Sequence, residues 1–150
     1  MAHTAESYRE AALEQVQVAR DLHDAEQEYG AAHYFAGVAV ECMLRAYRMR
    51  LDPQFDSRHD LASLVRSARF YDAVPPSLAP DVAAAVQEVA TRWSNDHRYR
   101  PKRLVARWLR DGGLDQRVQG DRLKYSSARI VDAAEQIVAI GEQRWRSRTR

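Results

Sequence analysis

AAHYFAGVAVECMLRAYR, residues 31–48, is apolar on nearly every side of a helical wheel: Phe35, Ala36, Val38, Ala39, Val40, Cys42, Met43 and Leu44 leave almost no polar face. Such a helix is stable only when neighbours cover it all round, so it belongs at the centre of a helical bundle. The helix is expected over residues 31–51, with Gly30 as the break before it. Pro53 ends it, because proline cannot donate the next backbone hydrogen bond and pushes Asp52 out of helical geometry.

The flanking sequence supplies the covering elements. A helix is expected to start at Ser7, where Ser7 and Glu10 have the spacing of a capping box. Its inner face then reads Tyr8, Ala12, Val16, Ala19 and Leu22, in steps of three or four residues. A shorter helix is expected over residues 60–70, with Leu61, Leu64, Val65 and Ala68 on one side, before Pro75 and Pro76. A fourth starts near Pro80, carries Val82, Val86, Val89 and Trp93 on one stripe, and fades at Ser94, Asn95 and Asp96, which compete for helical hydrogen bonds. A short basic helix over residues 102–110 precedes a turn at Gly112 and Gly113. The last helix, about residues 121–146, buries Ile130, Ala134, Ile137, Val138 and Trp145. No run alternates as a strand does, and no repeat is present. The expected fold class is all-α: one domain over residues 1–150, an up-and-down bundle of four long helices plus short extra helices.

Composition excludes several classes of protein. With 150 residues, 45% hydrophobic and 29% charged, the chain has enough apolar surface for one core and is not of disordered type. The single cysteine, Cys42, rules out an internal disulfide and a cysteine-rich metal site. No secretory signal pattern and no bilayer-length apolar run is read, so a cytoplasmic protein with no membrane association is expected. The net charge of +2 is unevenly spread. Residues 1–30 carry seven acids against two arginines, whereas residues 91–110 carry Arg92, Arg98, Arg100, Lys102, Arg103, Arg107 and Arg110 against Asp96 alone. That basic segment suits a polyanion such as RNA, although charge runs are also the ordinary solvated faces of helices.

Three segments, in order, resemble the HEPN domains. Residues 31–48 look like the family's central helix, with Glu41 at the place of its glutamate; Arg58-His59-Asp60-Leu61 resembles the opening of its third helix; and Arg98-Tyr99-Arg100-Pro101 resembles the arginine-tyrosine pair after the fourth. The resemblance implies a HEPN-like helical bundle that forms a homodimer, often paired as a toxin with a minimal nucleotidyltransferase antitoxin. In members that cleave RNA, an arginine, four to six residues and a histidine form the active motif, and one toxin branch adds a tyrosine two residues on. Arg92-Trp93-Ser94-Asn95-Asp96-His97-Arg98-Tyr99 fits that longer form. It departs from the branch at Trp93, where a polar asparagine is common.

The resemblance therefore implies a metal-independent endoribonuclease of toxin-antitoxin type, with no cofactor. Its chemistry is attack of a ribose 2′-hydroxyl on the neighbouring phosphate, which needs a proton carrier near neutral pKa and a cation for the developing phosphoryl charge. His97 suits the first role, with an ordinary pKa of about 6.5, and Arg92 the second, because its planar fork binds oxygens in pairs. Tyr99 matches the tyrosine that the nucleotidyltransferase partner modifies. Arg100, Lys102, Arg103, Arg107 and Arg110 are the expected RNA contacts. The rival reading is a non-catalytic HEPN module that dimerises and binds nucleotide, RNA or a partner. There, His97 caps a helix end, and either Arg92 or Arg98 pairs with Glu41, since a charge on an apolar helix requires a partner. His59 reads as structural, and His3, His23 and His33 lack metal-ligand spacing. Trp93 and Trp108 flank the basic run and suit either base stacking or the core.

Overall fold

The computed structural model describes residues 3–55 and 60–148, the side chains of Arg98 and Arg148 excepted. Among them every regular element is helical: α1 (Ala5–Asp24), α2 (Tyr29–Leu51), α3 (Leu61–Ser67), α4 (Phe70–Ala73), α5 (Ala79–Arg92), a 3₁₀ turn (Asn95–Tyr99), α6 (Lys102–Asp111) and α7 (Arg122–Arg148). The all-α expectation holds, and four of the helices have fourteen or more residues.

α2 occupies the centre, as its apolar circumference requires. α1 lies along it, α7 packs against α2, α1 and α5, and α3 and the 3₁₀ turn close on its flanks. Ala32, Ala36, Ala39, Val40, Met43 and Leu44 are fully covered by these neighbours, as are Ile130, Val131, Ala134 and Ile137 of α7. Each large aliphatic side chain so removed from water contributes about 1.5–3 kcal/mol. At the far end, Trp145 meets the Tyr47 ring edge-on at 5.3 Å, and the Arg50 guanidinium lies 3.3 Å over its face. The Tyr47 hydroxyl donates to the Gly141 carbonyl at 2.7 Å. No helix among the described residues is long and apolar enough to cross a membrane.

Several boundaries differ from expectation. α1 is capped by Thr4, not Ser7: the Thr4 side chain accepts from the Ser7 N–H at 3.0 Å, and the Ser7 hydroxyl accepts from the Thr4 N–H at 2.9 Å. The hydroxyl pair starts the helix one turn earlier than a Ser7–Glu10 box would. Gly30 lies inside the first turn of α2; the chain reverses before it, at Gln27, whose φ is 53°. The expected single helix over 60–70 is two, capped by Asp60 and broken where Arg69 adopts a φ of 53°. Arg58 and His59 lie outside the described residues.

The end of α5 determines the geometry of the site. The helix stops at Arg92, and Trp93 is extended with φ −115° and ψ 141°. Its indole lies flat against α2 at Gly37, where a Cβ would come within 2.1 Å of the ring, and its Nε1–H donates to the Tyr34 carbonyl at 3.1 Å. Anchoring Trp93 there turns the chain, so that the 3₁₀ segment and α6 fold back over the first turns of α2. A second, smaller apolar cluster of Val105, Leu109 and Leu123 fastens α6 to the start of α7.

Candidate functional site

Arg92 and His97 both lie in the interior, connected through the Ser126 hydroxyl and His33. Arg92 is the last residue of α5 and only 6% exposed. Its Nε donates to Glu88 at 2.7 Å, Nη1 to Asp115 at 2.6 Å and to the Ser126 hydroxyl at 3.1 Å, and Nη2 to Asp115 at 2.8 Å. The guanidinium fork is thus closed by the Asp115 carboxylate in the two-pronged geometry that a phosphate would take. Burial on its own would lower the Arg92 pKa, but the hydrogen bonds to Asp115 and Glu88 outweigh it and keep the group charged. Glu88 is held down at about 2, first by its hydrogen bond from Arg129 and then, against burial, by Arg92. Asp115–Arg92–Glu88–Arg129 is therefore an alternating chain of charges tying the loop after α6 to α5 and α7.

His97 is 4% exposed. Its Nδ1 accepts from the Ser94 N–H at 3.4 Å, closing the cap of the 3₁₀ turn, and its ring meets Trp108 edge-on at 4.8 Å. That contact leaves the proton on Nε2, which is buried with no hydrogen-bond partner among the described residues. Burial, and then the charge of Arg100, pull its pKa down to about 4, with Asp96 opposing them. The expectation that both protonation states are populated at pH 7 does not hold for the folded chain; the ring is neutral.

A second histidine completes the cluster. His33 of α2 is fully buried, its ring centre 5.6 Å from that of His97, and its Nε2 lies 3.1 Å from the Ser126 hydroxyl. Since that hydroxyl already accepts from Arg92, its own proton is free to go to His33. Burial first, then His97 and Arg92, push the His33 pKa down to about 3. The next residue of α7, Ser127, takes His23 of α1 at 2.8 Å. Metal-ligand spacing gives His33 no role in the sequence. Two signals were available in the sequence: a histidine on a helix with no polar face needs a partner, as was argued for Glu41, and Ser126 and Ser127 fall on the inner stripe of α7 between Leu123 and Ile130. Asp115 carried no such signal, because it lies in a turn twenty-three residues from its partner.

The remaining expected residues lie elsewhere. Glu41 pairs with Arg45 one turn along α2 at 3.0 Å, so the partner of Arg92 is Asp115 and not Glu41. The Arg98 side chain lies outside the description. Tyr99 is 75% exposed at the end of the 3₁₀ turn. Trp93 and Trp108 are both engaged in packing. Lys102 is bound to Glu28, and Arg107 faces Asp111 loosely at 3.8 Å, while Arg103 and Arg110 are exposed with no acidic partner among the described residues. Burial raises the Cys42 thiol to about 11, so it stays protonated. No group of three or more potential metal ligands occurs among the described residues. Compared with known proteins, the chain matches no family model, no curated protein and no solved structure.

Proposed function

We propose that this protein is a HEPN-like module that forms a homodimer and binds RNA through the exposed basic face of α6, without cutting it. The observation that carries this reading is the contrast between two sets of cations. Arg103, Arg107 and Arg110 project from one solvent-facing side of α6, whereas Arg92 is sealed by Asp115 and Glu88 in the interior. With four of its five N–H donors taken by Glu88, Asp115 and Ser126, the Arg92 guanidinium has no fork to offer a phosphate, and a histidine buried as a neutral ring is a poor proton shuttle at pH 7. The buried cluster then serves the fold: it joins α2, α5, α7 and the loop after α6, and holds α6 in place.

A second reading is favoured by one observation, the convergence of Arg92, His97 and His33 within one cluster. A metal-independent endoribonuclease of the toxin type, restrained by a minimal nucleotidyltransferase, would use these groups once Asp115 had left Arg92 and the 3₁₀ turn had opened. Cleavage of a labelled single-stranded RNA, with and without a chelator, separates the readings. The binding module retains RNA intact whether or not His97 is replaced by alanine. Chelator-resistant cutting that His97→Ala abolishes establishes the nuclease.

A further inference from the structure

The basic segment does not act alone, because a wall of a different helix faces it. α6 carries Arg103, Arg107 and Arg110 at spacings of four and three, which place them on one face over about 10 Å of helix length. Across from them stands Arg122, the first residue of α7, nineteen residues later in the chain than Arg103. Between the two helices runs a groove of about 560 Å³ with Ala106 and Leu123 on its floor. Its one carboxylate, Asp121, is turned to its own backbone, accepting from the Lys124 N–H at 3.0 Å. Val105 and Leu109, packed on Leu123 behind the groove, fix the distance between the walls.

We propose that this α6–α7 groove is the track for the phosphodiester backbone of single-stranded RNA, with Arg122 as the contact that closes it; the inference rests on the RNA-binding reading above. Four guanidinium groups around one narrow groove match a line of phosphates, because each fork takes a pair of non-bridging oxygens. The apolar floor accepts the sugar edge. Lys102, tied to Glu28, does not line the groove and is not part of the track.

The test is the salt dependence of binding of a fluorescent single-stranded oligouridylate to the full chain. With three to four phosphates engaged, log Kd against log salt has a slope of about 2 to 3, since each single-strand contact contributes about 0.7. Replacing Arg107 and Arg122 together by glutamine makes the slope shallower by about 1.4 and weakens binding at least tenfold at about 0.1 M salt. The Arg103→Gln, Arg110→Gln pair does the same, and Arg66→Gln on α3 changes neither. Wild-type affinity in both double variants, or an equal loss in Arg66→Gln, overturns the groove while the RNA-binding reading stands. Tighter binding of duplex than of single-stranded RNA overturns the single-strand assignment. Absence of RNA binding by the wild type at low salt removes both.

Discussion

Replacing Asp115 with alanine removes two of the four hydrogen bonds on the Arg92 guanidinium and the only carboxylate that grips both ends of its fork. Both side chains are 7% exposed, so the charge left behind is buried. Breaking such a pair from one side costs about 3–5 kcal/mol. The retained bonds to Glu88 and Ser126 place the expected loss at the lower end of that range. Alanine is also strained at the φ of 59° that Asp115 adopts, by about 1 kcal/mol. The sum, about 4 kcal/mol, corresponds to a Tm lower by about 8–16 °C for a chain of this size. Urea unfolding followed by circular dichroism, at constant m-value, measures it. Asp115→Asn keeps the left-handed backbone comfortable and isolates the charge contribution, at about 3 kcal/mol. Arg92→Met combined with Asp115→Asn recovers most of the loss, because no unpaired cation then remains inside. A loss below about 1 kcal/mol for Asp115→Ala would refute the assignment of Arg92 as a buried, carboxylate-sealed strut.

The two buried histidines predict a pH dependence. Both are neutral in the folded chain, with pKa values of about 3 for His33 and about 4 for His97, whereas in the unfolded chain each takes a proton near pH 6.5. The unfolded state therefore binds more protons below that pH, so stability is intact above about 6.5 and falls as the solution is acidified towards the folded values. The loss is about 1.4 kcal/mol per pH unit for each histidine, and equal urea midpoints at pH 7 and pH 5 would contradict it. Gly37→Ala drives a Cβ into the Trp93 indole. It costs about 3 kcal/mol of overpacking, less about 1 kcal/mol of helix propensity, and shifts tryptophan emission to the red; unchanged emission and stability would show that Trp93 does not dock on α2.

The bundle was legible in the sequence where side-chain periodicity controls burial. The all-apolar circumference of residues 31–48 placed α2 at the centre, and the stripes through Val82, Val86 and Val89 and through Ile130, Ala134 and Ile137 are buried as read. Local hydrogen-bond competition decided the parts that differ. Thr4 outcompeted Ser7 as a cap, and Trp93 left its stripe because Gly37, fifty-six residues earlier in the chain, offers a flat surface with no Cβ. The site was half legible. Arg92 and His97 stand out through the resemblance to the HEPN motif, and both are buried on either side of His33 and Ser126. Spacing cannot report that a loop carboxylate closes over the arginine or that Arg92 and His33, from different helices, meet at the buried Ser126 hydroxyl. Such contacts are set by tertiary packing and not by any local pattern. For the same reason Arg122 was missed: it faces the α6 arginines only because Val105, Leu109 and Leu123 clamp the two helices together.

The function is decided by whether the exposed arginines, and not the buried Arg92 and His97, meet RNA. One measurement addresses this directly: incubation of the purified chain with labelled single-stranded RNA at low salt, with chelator present, scored at once for binding and for cleavage. The expected result is salt-sensitive binding of RNA that stays intact, unchanged in His97→Ala. Chelator-resistant cleavage that His97→Ala abolishes would contradict it and move the function to the interior cluster.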